Sequence, residues 1–136
     1  LFPHRWIFEM VEAWYSNGVL GFGSDNEDAR GMKHPPHIAG AYFSAKLAVS
    51  EYLLKNKIQA GVLIFREIRS EYAIPVGVWQ VREGIREAMR QKPKIMSDFN
   101  QALQLASGKT SISKNEWVKN GKIINMINQK TILDFI

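Results

Sequence analysis

Gly61-Val62-Leu63-Ile64-Phe65 is apolar or neutral at every position, with no alternation between faces. A strand of that kind is buried on both sides, so it asks for a sheet with helices packed on each face. The clearest covering helix follows Pro35-Pro36. From His37 to Lys57, the residues Ile38, Tyr42, Ala45, Val49, Tyr52 and Leu53 recur at three- and four-residue steps. Gly40, Ala41, Ser44, Ala45 and Ala48 are small, so another element can approach that helix closely. The expected class is α/β (or mixed α+β), with a few-stranded central sheet packed by several helices.

Trp6 to Trp14 repeats its large apolar residues at helical spacing and predicts a short helix, ended by the turn Asn17-Gly18. Gly21 to Asp28, rich in glycine and carboxylates, predicts a loop. Glu71 to Trp79 predicts a loop or an edge strand, because Pro75 cannot donate to a central ladder. Gln80 to Arg90 predicts a helix with Arg82, Glu83, Arg86, Glu87 and Arg90 at ion-pair spacing. Asp98 to Ala106 predicts another, capped by Ser97 and stopped by Gly108. Ser113-Lys114-Asn115-Glu116 is a capping box opening a final helix to about Asn128.

A length of 136 residues suits one domain, here 1–128, followed by a short tail, 129–136. With 46% hydrophobic and 23% charged residues the composition is that of a globular chain. There is no cysteine, which excludes disulfides and thiolate metal sites within the chain. No apolar run approaches the roughly 20 residues that span a bilayer, so no membrane partner is expected. Leu1 to Trp6 is too polar for a signal peptide. Opening on Leu1 rather than Met, the chain reads as the C-terminal portion of a longer protein. Its net charge of +5 is uneven: residues 1–85 hold nine basic and nine acidic side chains, and residues 86–136 hold nine against four. That excess fits either nearby nucleic acid, an acidic protein partner, or a solvated lysine-rich surface.

The last eight residues carry the sharpest functional pattern. Gln129, Ile132, Phe135 and Ile136 follow the spacing of a peptide that binds the sliding clamp PCNA. One helical turn puts Ile132 and Phe135 on one face as an apolar plug, and Gln129 can both donate and accept hydrogen bonds beside it. The final position is usually aromatic, so Ile136 predicts weaker anchoring. The alternative is a last helical turn packing on its own domain.

The polar residues around the predicted strand end have two readings. Arg66, Arg69 and Arg82 can grip phosphate oxygens, with Glu67, Glu71, Tyr72 or Glu83 placing water or a metal. Equally, they can be ion pairs that fix the loop to the next helix. Asp25, Glu27 and Asp28 lack the ligand set of a calcium loop and suit an acidic surface loop. His34 and His37 flank Pro35-Pro36, where they are either metal ligands or residues of a helix start. Trp14 and Trp79 either stack on bases or fill a core. No metal or cofactor is expected from these patterns.

Pro3-His4-Arg5-Trp6-Ile7-Phe8-Glu9-Met10, the segment Ala39 to Leu47, the long stretch Phe65 to Glu83 and the terminal peptide together resemble the archaeal Nre family, implicated in DNA repair. The resemblance spans nearly the whole chain, in the order of that family's C-terminal region. It implies a role in DNA damage tolerance, contact with PCNA through the terminal peptide, DNA as a partner, and a place in the archaeal cytosol at the nucleoid. It supplies no reaction. Two function classes stay open: a repair factor recruited by the clamp, or a nuclease-like nucleic-acid enzyme built on Arg66, Glu67, Arg82 and Glu83.

Overall fold

The computed structural model describes residues 1–72 and 77–128. Among them the elements run β1 (Ile7–Ser16), β2 (Val19–Asp28), α1 (Ala39–Asn56), β3 (Gly61–Ile68), α2 (Val78–Arg90), α3 (Phe99–Ser107), α4 (Lys114–Asn120) and α5 (Lys122–Asn128). The strands form one mixed sheet in the order β2-β1-β3, with β1 antiparallel to β2 and parallel to β3. One core joins Phe8, Met10 and Val62 to Tyr42, Ala45, Val49 and Val81 of α1 and α2. A second, on the opposite face, joins Val11 and Ala13 to Ile112 and Trp117, with Phe22 and Phe65 against it. The chain is therefore α/β, a sheet with helices on both faces.

The central strand is β1, where a helix was expected. Ile7 to Ala13 are buried without a break, because β1 is covered on both faces and flanked by a strand on each side. A strand in that position shows no period of two, and its apolar residues fell by chance at helical steps. The run Gly61 to Phe65 is a strand covered on both faces, but it lies at the sheet edge and extends to Ile68. Asn17 and Gly18, at φ 49° and 77°, form a two-residue hairpin loop of the type that needs two positive φ values.

The glycine-rich segment expected as a loop is strand β2. Trp14 pairs with Gly21 across the hairpin, and its indole lies over both Gly21 and Gly23. A Cβ at Gly21 would stand 2.9 Å from Trp14 Nε1, and one at Gly23 would stand 2.8 Å from Ile38 Cγ2. These glycines mark a close approach within a strand.

Two helix ends also differ from expectation. Asp98 rather than Ser97 caps α3, accepting from the Gln101 amide. Ser113 does cap α4, but the helix stops at Asn120 and α5 starts anew at Lys122. Gly121, between them, packs against Ile124 and the Glu9 carboxylate, leaving no room for a side chain.

Candidate functional site

Of the acidic residues of β1 and β2, all but Asp28 point inward, and all are already engaged. Glu9, fully buried on β1, accepts from the backbone amides of Lys122 (2.6 Å) and Ile124 (3.1 Å), so it caps α5 from the central strand. Burial pushes its pKa up, against the opposing pull of those amides. Glu27 accepts from Trp6 Nε1 (3.0 Å), the Tyr42 hydroxyl (3.0 Å) and Lys46 (2.9 Å). Burial raises its pKa, but the bonds from Lys46, Trp6 and Tyr42 outweigh burial and hold it below the ordinary carboxylate range. Burial and then the Glu27 charge drive the Tyr42 hydroxyl far above its usual range. Asp28, outside, pairs with Arg30 and Lys33.

Asp25 is fully buried and accepts from the His37 amide (2.9 Å to each oxygen) and the Ile38 amide (2.7 Å). It caps α1 from outside the helix, since Ile38 at the cap position makes no side-chain bond. The acidic surface loop expected from the sequence is thus a strand whose carboxylates organise the interior. The segment between β2 and α1 folds back so that His34 Nδ1 sits 3.7 Å from Asp25 Oδ1. The His34 and His37 rings lie 5.5 Å apart, inclined by 32°.

The Arg/Glu group near the end of β3 is divided by the sheet. Successive strand residues face opposite ways, so Arg66 and Glu67 serve different layers. Arg66 bonds Glu12 of β1 at 2.6 Å, with both side chains mostly buried. Glu67 accepts from the amide and hydroxyl of Ser111, and stands 3.7 Å from the exposed Arg69. On α2, Glu83 bonds Arg86 at 2.6 Å, and Arg86 reaches Glu51 of α1 at 2.6 Å, tying the two helices together. Arg82 lies 3.9 Å from Glu83, and its Nε is buried with no hydrogen-bond partner among the described residues.

Glu71 is exposed, as are Tyr72 and Trp79, the last at 66%. Trp79 therefore does not fill the core, whereas the partly buried Trp14 packs across β2. Between β3 and α2 lies a cavity of about 230 Å³, lined by Met10, Ile64, Val81 and Ile85 with Arg66 and Tyr72. The peptide residues Gln129, Ile132, Phe135 and Ile136 lie outside the described residues.

Sequence reasoning missed Glu9, Glu12 and the burial of Asp25. Glu9 and Glu12 did carry a signal, as two carboxylates set in an otherwise apolar run. No described helix is long and apolar enough to cross a membrane.

No solved structure matches the chain significantly. Among curated proteins it is similar to DNA repair protein NreA of Archaeoglobus fulgidus, 37% identical over 122 residues, covering 86% of this chain and 31% of that protein. DNA repair protein NreB of the same organism is 28% identical over 142 aligned positions, covering 100% of this chain and 36% of NreB. DNA repair protein NreA of Haloferax volcanii is 34% identical over 113 residues, 76% of this chain and 27% of that protein. The chain thus spans about a third of the length of these relatives. The family profile described as Archaeal Nre, C-terminal, matches residues 27–135, from the last part of β2 through the terminal peptide, and on that match the chain belongs to the archaeal Nre family.

Proposed function

We propose that this chain is the C-terminal domain of an archaeal DNA repair factor, recruited to the sliding clamp PCNA by Gln129, Ile132, Phe135 and Ile136. The observation that carries the reading is the spacing of those four residues in a chain whose relatives are named DNA repair proteins. The peptide follows α5 directly, and α5 is fixed to the sheet by Glu9. DNA is the second proposed partner. Arg69 and Arg82 supply guanidinium groups and the exposed Tyr72 and Trp79 supply rings, residue types suited to phosphates and unpaired bases. Arg66 is less suited, because Glu12 already holds it.

The nuclease-like alternative gains less from the geometry. Its carboxylates Glu67 and Glu83 belong to different ion-pair sets, one at Ser111 and Arg69 and the other at Arg86. Converging carboxylates are what a metal-dependent phosphodiester cleavage requires.

The test is calorimetric titration of the chain into an archaeal PCNA, beside a version ending at Asn128. Binding that disappears with residues 129–136 supports the reading. Phe135→Ala is expected to weaken binding by about 2 kcal/mol or more, as truncation of a buried aromatic anchor does. Affinity unchanged by that substitution would overturn it.

A further inference from the structure

His34 and His37 are spaced around a rigid Pro-Pro pair, and the sequence alone does not single out a third ligand for them. The fold supplies one from strand β2. One donor atom from each of Asp25, His34 and His37 falls in a group within 4.8 Å of one another. We propose that these three side chains form a binding site for a divalent transition metal, with zinc the best-suited ion.

The donor set makes the choice. Two imidazoles and one carboxylate suit zinc, cobalt or ferrous iron, whereas calcium and magnesium ask for more oxygen ligands than this cluster holds. Three protein ligands leave a fourth position for water or a substrate atom, the arrangement of reactive rather than purely structural zinc. Burial is graded to match: Asp25 is fully buried, His34 half-buried and His37 exposed, so the open position faces solvent.

The carboxylate is already oriented. Three hydrogen bonds from the His37 and Ile38 amides fix both Asp25 oxygens, the kind of outer support that holds a ligand in place before the ion arrives. His34 Nδ1 lies 3.0 Å from the Pro35 carbonyl oxygen and 3.7 Å from Asp25 Oδ1. Tetrahedral zinc needs ligand atoms about 3.4 Å apart, given its bonds of roughly 2.0–2.1 Å. The group must therefore contract by up to about 1.4 Å at its widest, which rotation of the two imidazoles can supply. Capping α1 explains why a carboxylate stands at position 25. It does not explain two imidazoles gathered beside it.

The experiment is a titration of the chelator-treated full chain with Zn²⁺ by calorimetry, and with Co²⁺ by visible absorption. His34→Ala and His37→Ala are the variants. His4→Ala, which removes the one other histidine, is the control. Asp25→Asn is avoided because it also weakens the cap of α1. The expected result is one equivalent bound by the parent and by His4→Ala, with a ligand-field spectrum of four- or five-coordinate cobalt. Each of His34→Ala and His37→Ala should lose at least about tenfold in affinity. Zn²⁺ should raise the melting temperature of the parent but not of those two variants, whose metal-free melts report whether they fold. No binding by the parent, or binding that survives both substitutions, would overturn the proposal. Neither result depends on the clamp.

Discussion

Glu9 shows what one side chain does when a charge is enclosed by two layers of packing. Its pKa is raised by burial, so the native state holds the proton more tightly than the unfolded chain does. That contribution to stability is fully present below the ordinary value of 4.5 and is lost as pH rises through the higher folded value. Glu9→Gln keeps an acceptor oxygen and cannot titrate. Denaturant melts at stepped pH upward from 4.5 should therefore show the parent losing stability where Glu9→Gln stays flat. Equal slopes for the two proteins would remove Glu9 as the cause. Glu27 titrates in the opposite sense: its lowered pKa stabilises the fold above the unfolded value, and the gain disappears as pH falls through the folded one.

Among the elements, β2 is the one whose identity depends most on a neighbour. Gly23 accepts the Trp14 ring and the Ile38 side chain where any Cβ would collide. Gly23→Ala should cost about 1–3 kcal/mol in a thermal or denaturant melt, the usual range for overpacking. A neutral result would mean that Ile38 and Trp14 shift freely. The same dependence explains what could be read in advance. Helix α1 was legible because its buried residues keep a helical period and Pro35-Pro36 marks its start, and Asn17-Gly18 was legible because so few residues tolerate positive φ. β1 was not, since a strand covered twice loses its alternation, and β2 was not, since its glycines answer to Trp14. The polar groups divided likewise. Arg66 and Glu67 are adjacent in sequence and look like one cluster, but the pleat assigns them to opposite layers. Asp25, His34 and His37 look unrelated, and the turn into α1 brings them together. Proximity in sequence along a strand is a poor guide to convergence.

For the whole molecule, two cores on opposite faces of one sheet hold the domain, and among the described residues both are built from positions before 128. Removing residues 129–136 should accordingly leave the melting temperature within about 2 °C of the full chain, since a difference of 1 kcal/mol moves a domain of this size by roughly 4 °C. A larger drop would mean that the tail packs on its own domain, which would count against its use as a clamp peptide. The net positive charge lies in residues 86–136, the part holding α3, α4 and α5. An acidic partner or a phosphate backbone would therefore be drawn toward that layer.

The cap that Glu9 places on α5 has a mechanical consequence. An eight-residue peptide reaches at most roughly 26–29 Å when fully extended, and the helix before it is moored to the middle of the sheet rather than to a loop. A partner gripping that peptide would hold the domain on a short stay with a fixed root, not on a slack leash. Any pull on it would load the central strand first, the part of the molecule least able to yield.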